Sequence, residues 1–310
     1  MSNSSIRIAT RSSKLALWQA EHIKALIEST SAETTVEIIH VKTIGDQNQT
    51  DALREFGGQG VFTREVQVAV LDERTDIAVH SLKDLPTQES SGLALAGIPD
   101  RAPVFDAMLL PEGSSVQQLD DIPEGARIGT GSPRRQAQLL HHRPDLSMLE
   151  IRGNVDTRIR KLDEGEYDAI VLAEAGLRRL GLAERISFLL SPPMVYPAVG
   201  QGAIGIECRE DDQRVQEALA RITNSEVLSA TTAERSLLYE LRAGCHAPLG
   251  CESRIDGDQI SLTGVLLSLD GKTRVEETAT GNLSDAKAVG AEVAAALVAA
   301  GGAELLAASK

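Results

Sequence analysis

Basic side chains sit on three turns that lead from a strand-like run into a helix-like one. The fullest is Gly129-Thr130-Gly131-Ser132-Pro133-Arg134-Arg135. An apolar run ends there in glycines, Ser132 is a helix-capping residue type, and Pro133 suits the first helical position, where its missing N–H goes unnoticed. A helix start favours anions, and each guanidinium offers a carboxylate or phosphate two parallel donors. Without an anion, two arginines at the positive end of a helix oppose its dipole; an exposed helix with solvated arginines is the plain alternative. Arg152-Gly153-Asn154-Val155-Asp156-Thr157-Arg158 repeats the arrangement, and Arg7 and Arg11 flank the first strand run ahead of Ser12-Ser13. Strand ends are where open α/β sheets hold ligands, so the three turns together indicate a site for a small polyanion.

His80-Ser81-Leu82-Lys83-Asp84-Leu85-Pro86 follows a buried-looking strand at the same kind of position. A Ser/His/Asp hydrolase is disfavoured, because sequence neighbours do not make a triad and no Gly-x-Ser-x-Gly elbow is present. A Lys83 Schiff base with pyridoxal phosphate on the Thr130/Ser132 turn has no distinguishing motif. Asp84 could stabilise a cation or move protons, but local sequence alone favours an ordinary surface pair of Lys83 with Asp84. Cys245 lies between Arg242 and His246 in a breaker-flanked loop, which fits either a reactive thiolate or a small buried cysteine. Cys245 and Cys251 are six residues apart with no second ligand pair, so a metal site is weak. Cys208 reads as core, and His141-His142 as solvated or dipole-compensating.

The elements that must position these residues alternate. Strand-type runs at Ile6-Arg7-Ile8-Ala9, Val36-Glu37-Ile38-Ile39 and Asp76-Ile77-Ala78-Val79 are separated by helical periodicity through Ala16, Ala20, Ile23 and Ile27 and from Phe62 to Leu71. A second series runs from Asp106-Ala107-Met108-Leu109-Leu110 to Asp168-Ala169-Ile170-Val171-Leu172-Ala173, and Ile204-Gly205-Ile206-Glu207-Cys208 adds a strand. Such alternation predicts mostly parallel sheets with helices on their faces. Val215 to Leu241 reads as helical, followed by strands at Gln259 to Leu267 and Thr273 to Thr280 and an alanine-rich helix from Asp285 to Ala300. The polar stretch from Thr43 to Gly60 reads as a mobile lid or a merely variable loop. No internal repeat is evident.

A chain of 310 residues suggests two or three domains, and a net charge of −14 disfavours general binding to nucleic acid. No window approaches a membrane span, the start lacks the apolar core of a signal peptide, and three cysteines leave one unpaired. The expected location is the cytoplasm.

Arg11-Ser12-Ser13, Asp76-Ile77-Ala78-Val79-His80-Ser81-Leu82-Lys83-Asp84, Gly131-Ser132-Pro133-Arg134-Arg135-Gln136, Arg152-Gly153-Asn154-Val155, Leu172-Ala173-Glu174-Ala175-Gly176-Leu177, Pro197-Ala198-Val199-Gly200-Gln201-Gly202 and Gly244-Cys245-His246-Ala247-Pro248 occur in this order. Together they closely resemble the porphobilinogen deaminases, or hydroxymethylbilane synthases, over nearly the whole chain. The resemblance implies two α/β domains like those of periplasmic binding proteins, flanking a cleft, and a smaller α+β C-terminal domain bearing the cysteine. It assigns residues 1–101 and 202–221 to domain 1, 102–201 to domain 2 and 222–310 to domain 3, a discontinuity that a strand-by-strand reading misses.

The implied activity is a transferase of tetrapyrrole (porphyrin and haem) biosynthesis. Four porphobilinogen molecules are condensed head to tail with loss of ammonia on a dipyrromethane cofactor, and hydrolysis releases hydroxymethylbilane. Cys245 matches the cysteine that holds the cofactor by a thioether, and Asp84 matches the catalytic aspartate. Lys83, Thr130, Ser132, Arg134, Arg135, Arg152, Asn154 and Arg158 match cofactor-binding positions, Arg11, Ser13 and Arg179 substrate-binding ones, and Arg54, Gln59 and Phe62 the lid. Gln59 stands where many members have lysine, and Gly131-Ser132-Pro133 replaces a more usual Ser-Ser-Leu. A monomer with no metal, nucleic-acid or membrane partner is implied. The alternative from another class is a non-catalytic carboxylate-binding protein of the periplasmic type. That protein normally needs export, and it would give Asp84 and Cys245 no task.

Overall fold

The computed structural model describes residues 4–31, 33–41, 63–88, 90–244 and 247–308. The lid stretch with Arg54 and Gln59, together with Phe62, Cys245 and His246, lies outside these residues. The chain divides into two compact units, Met1–Ala102 with Ala203–Leu228, and Pro103–Gly202 with Ser229–Lys310.

In chain order the first unit opens with β1 (Ser4–Thr10), α1 (Lys14–Thr30), β2 (Thr34–His40), α2 (Arg64–Leu71), β3 (Ile77–Ser81) and β4 (Leu93–Gly97). The second begins with β5 (Asp106–Leu109), β6 (Arg127–Gly129), α3 (Pro133–His142), β7 (Ser147–Leu149), α4 (Val155–Asp163), β8 (Ala169–Ala173), α5 (Glu174–Arg179) and β9 (Phe188–Leu190). The chain then returns to the first unit as β10 (Ile204–Arg209) and α6 (Gln213–Ala220), and α7 (Ser225–Glu240) leads out of it again. The remainder is β11 (Leu249–Asp256), β12 (Gln259–Leu267), β13 (Arg274–Asn282), α8 (Ala286–Leu297) and α9 (Ala303–Ala308).

Each unit holds a five-stranded sheet, in the orders β2-β1-β3-β10-β4 and β7-β6-β8-β5-β9. The expectation of mostly parallel sheets needs a correction: β10 runs antiparallel to β3 and β4, and β5 antiparallel to β8 and β9. Both strands are the first after the chain crosses between units, so no helical crossover within the sheet obliges them to run parallel. The shared strand order is a structural repeat that carries no repeat in sequence.

Buried runs explain the local choices. Ile77, Ala78, Val79 and His80 of β3 are all buried, as a central strand covered on both faces requires. Helix α1 turns Gln19, Ala20, Ile23 and Ile27 inward at helical spacing, onto Ile6, Ile8, Ile77 and Ile206. The segment from Val215 to Leu241 is helical as expected, divided between α6 and α7, and β11 was not foreseen.

The third sheet, β11-β12-β13, is an antiparallel meander. Helix α8 packs on it and lies so close to α7 that a Cβ on Gly290 would sit 2.2 Å from the Ala233 carbonyl oxygen. Contrary to the sequence expectation, the helical stretch Leu283–Ala308 is long and apolar enough, by length and composition, to cross a membrane. Its Val289, Val293 and Leu297 are buried in the core of the third sheet, and Gly301 interrupts it at φ 101°. Its apolarity comes largely from alanine, and it serves as the sheet's covering helix.

Candidate active site

In the first unit Asp84 lies exposed on a single 3₁₀ turn, Leu82–Asp84, directly after β3. The turn is fixed from below. Leu82 N donates to Ala203 O at 3.0 Å, Leu85 N donates to Leu82 O at 3.1 Å, and both leucine side chains are buried. Gly205 on β10 makes room for them: a Cβ there would meet Leu82 Cδ1 at 2.9 Å and Leu85 Cδ1 at 3.0 Å. Lys83, beside Asp84, is half-buried.

Ser81 and His80 do not form a hydrolase pair. Ser81 Oγ accepts from Gln19 Nε2 at 2.8 Å. His80 is buried, with Nε2 3.1 Å from Glu207 Oε2 but off the line of a hydrogen bond, while Gln67 Nε2 donates to both Glu207 oxygens at 3.1 and 2.9 Å.

At the first arginine turn, Arg11 follows β1 half-buried and Ser13 caps α1, its Oγ accepting from Ala16 N at 3.3 Å. Arg7, read with Arg11 as flanking the first strand, is taken up by an ion pair instead. Its backbone N, Nε and Nη2 donate to the Asp76 carboxylate at 2.8, 3.1 and 2.9 Å.

In the second unit the Gly129–Pro133 turn forms as expected, with Pro133 at the start of α3 and Ser132 at its N-cap, although Ser132 makes no capping bond through its side chain. Thr130 is buried, its Oγ1 accepting from Ser132 N at 3.2 Å and its carbonyl from Gln136 Nε2 at 3.1 Å. The nearest atom to a Cβ on Gly131 would be Ile151 O at 3.4 Å, so the departure from serine removes a hydroxyl without a packing reason.

The arginine pair needs the main correction. Spacing turns both guanidiniums toward one point, taken as a bound anion, whereas the fold buries Arg134 and Arg135 around the chain's own fully buried carboxylate, Asp106. Arg134 Nη1 donates to Asp106 Oδ2 at 2.7 Å and to Tyr196 O at 2.5 Å. Arg135 donates to Asp106 Oδ1 through Nε at 3.0 Å and Nη2 at 2.7 Å, and to Val171 O through Nη1 at 3.0 Å. Gln201 Nε2 adds a fourth donor to Asp106 at 2.9 Å. Burial pushes the Asp106 pKa up, but the two guanidiniums outweigh it and hold the carboxyl far below its usual range.

The other basic residues stay nearer the surface. Arg152 is half-buried and donates through Nε to Glu150 Oε1 at 2.9 Å. Arg158 Nε donates to Gly153 O at 2.8 Å, and Asn154, at the N-cap of α4, is exposed. Arg179 Nη2 donates to Gly202 O at 2.7 Å, and burial draws its pKa down to about 10, which leaves it cationic at neutral pH. Gly153 adopts φ 108°, and a Cβ there would meet Thr157 Cγ2 at 2.7 Å, so this turn requires glycine. Asp106 escaped the sequence reading. The available signal was a charged residue opening an apolar strand run, which must be buried with partners.

Two family models match: porphobilinogen deaminase, dipyromethane cofactor binding domain, over residues 6–217, and porphobilinogen deaminase, C-terminal domain, over 228–299. The chain belongs to the porphobilinogen deaminase family. Similar relatives include the porphobilinogen deaminases of Syntrophotalea carbinolica, 44% identical over 99% of this chain and 97% of that one, and of Geobacter sulfurreducens, 44% identical over 97% and 94%. Among solved structures, the methionine binding protein MetQ matches 75% of this chain and 96% of its own at TM-score 0.45 and 13% identity.

As a member of this family the chain is a transferase of tetrapyrrole biosynthesis with hydroxymethylbilane synthase activity, and its cofactor is a dipyrromethane. The described donor set fits a carboxylate-bearing group of that kind. Around Asp106 two guanidiniums face one carboxylate and leave one positive charge over, and Arg152, Arg158 and Arg179 lie on the loops and helices that follow β7 and β8. A non-catalytic binding protein is not favoured by relatives that match nearly end to end.

Proposed function

We propose that the chain joins four porphobilinogen molecules head to tail, with Asp84 as the catalytic carboxylate and with the growing chain anchored through a thioether on Cys245. In each step the aminomethyl group of the incoming porphobilinogen, protonated at nitrogen, loses ammonia as its carbon–nitrogen bond breaks; a free ring carbon of the chain's terminal pyrrole bonds to that methylene and then loses a proton. The bound dipyrromethane supplies the first nucleophilic pyrrole. Loss of ammonia makes the methylene and its pyrrole electron-poor, and a fixed carboxylate lowers the energy of that cationic arrangement. A preorganised charge or donor of this kind is worth about 10²–10³ in turnover.

The observation that carries this reading is the packing and hydrogen bonding beneath the Asp84 turn. An exposed carboxylate on a turn whose neighbouring leucines are locked against Gly205 needs little reorganisation when charge develops. Arg11, Ser13 and Arg179 serve the incoming carboxylates, and Lys83, Thr130, Ser132, Arg134, Arg152, Asn154 and Arg158 those of the cofactor and chain. Arg135 contributes from behind Asp106. Arg54, Gln59 and Phe62 belong to the lid of the same reading. So do the domain limits 1–101 with 202–221, 102–201 and 222–310, a monomeric state and residence in the cytoplasm. The net charge of −14 supports the absence of a nucleic-acid partner.

Asp84→Ala tests the assignment. It should keep the melting temperature and the bound cofactor and lose at least about a hundredfold in turnover; near-normal turnover would remove Asp84 from the mechanism.

A further inference from the structure

We propose that Asp106 is a positioning residue of the arginine turn: its buried carboxylate sets the Arg134 guanidinium so that the unused donors of Arg134 meet a ligand carboxylate, while Arg135 braces Asp106. The proposal deepens, and rests on, the reading of Arg134 as a cofactor-binding residue. Asp106 is the first residue of β5 and pairs with Ala173 at the C-terminal end of β8, the end of the sheet that carries the turn. A carboxylate buried there is tolerable only with nearly all of its acceptor capacity filled, and it receives Arg134, Arg135 and Gln201.

The two arginines are used unequally. Arg135 engages Nε, Nη1 and Nη2, on Asp106 and on the Val171 carbonyl of β8. Arg134 engages only Nη1, on Asp106 and Tyr196 O, and its Nε and Nη2 bond to no described residue. Neither of those two atoms is among the sealed, unpartnered polar atoms, so each keeps part of the 5% of the Arg134 side chain that stays exposed. With two cations against one anion, the cluster retains one positive charge, and Arg134 is the member with donors to present it. Asp106 therefore acts on the ligand through Arg134, and Gln201 and Tyr196 O hold the same geometry from the 196–201 segment.

The test loads cofactor-free full-length protein with porphobilinogen and follows the gain of pyrrole mass with time by intact-protein mass spectrometry. It compares wild type, Asp106→Asn, Arg134→Met and the double variant, with melting temperature recorded for each. Each single change should slow loading at least roughly tenfold, and the double should be within about twofold of the slower single, because both remove one function. Loading of Asp106→Asn at the wild-type rate, or slowings that multiply in the double, overturns the proposal. Asp106→Glu keeps the buried charge and moves the carboxylate by one methylene, which guards against simple unfolding of the asparagine variant. It should also load slowly, and normal loading would show that charge without placement suffices, which contradicts positioning. Failure of the underlying reading shows separately, as a wild-type protein that gains no pyrrole mass.

Discussion

Gly205 lies on β10 and touches no ligand in any reading of this chain, yet it determines where Asp84 can stand. Replacing it with alanine introduces a Cβ 2.9 Å from Leu82 Cδ1, 3.0 Å from Leu85 Cδ1 and 3.2 Å from Leu95 Cδ1. One leucine tip could rotate away. Three converging on the same point cannot all do so in a core where Leu82, Leu85, Ile98 and Ala203 are already packed together. Overpacking of this kind costs about 1–3 kcal/mol. At about 2–4 °C per kcal/mol for a domain of this size, the melting temperature should fall by about 2–12 °C. Leu82 and Leu85 bracket Lys83 and Asp84, so relief comes partly by moving the turn, and a shift near 1 Å costs about a hundredfold in rate. Gly205→Ala should therefore lower kcat about tenfold to a hundredfold with a smaller change in KM, because Asp84 acts on charge that develops during reaction. Steady-state formation of pyrrole product beside a thermal melt measures both quantities. A lower melting temperature with unchanged kcat would refute the coupling between Gly205 and Asp84, and a protein unaltered in both would refute the packing argument itself.

Gly153→Ala should destabilise the start of α4 by about 1–3 kcal/mol, since it combines φ 108° with a 2.7 Å clash on Thr157, and it should slow cofactor loading through Arg152 and Arg158. A melt and a loading rate both equal to wild type would contradict this. Asp106 has a folded-state pKa below its unfolded value, so its stabilising effect is complete above about pH 4 and is lost as pH falls from there through the folded value. The gap in melting temperature between wild type and Asp106→Asn should thus narrow below about pH 4, and a constant gap down to pH 2 would oppose the assignment. Gly131→Ser should be accepted with a change in stability of less than about 0.5 kcal/mol, because a Cβ there makes only ordinary contacts; a large loss in the melt would show hidden crowding.

Much of the fold was legible because its strands are short apolar runs and its helices keep one buried stripe, as α1 does with Ala20, Ile23 and Ile27. Strand direction was not legible. β5 and β10 look like the other strands, and their antiparallel course follows from chain crossings that leave no local mark. β11 was unread because Gly250, Cys251 and Ser253 weaken its strand signal, although Gly250 is required where Tyr196 packs against it. The arginine turns were placed correctly, but sequence spacing could not say which guanidiniums the fold consumes. That depends on Asp106, 28 residues from Arg134 along the chain, and on Asp76 for Arg7, 69 residues away. The brevity of such turns gives no clue to partners so distant, and Asp84, which local sequence read first as a surface pair with Lys83, was singled out only through the family resemblance.

The central claim is a transferase that grows its product on a pyrrole chain held at Cys245, and the mass of the intact purified protein tests it most directly. Protein made in a porphyrin-producing host should be heavier than its sequence by two linked pyrrole units, and Cys245→Ser should have the sequence mass. A wild-type protein at its bare sequence mass, or an excess that survives in Cys245→Ser, would contradict the account.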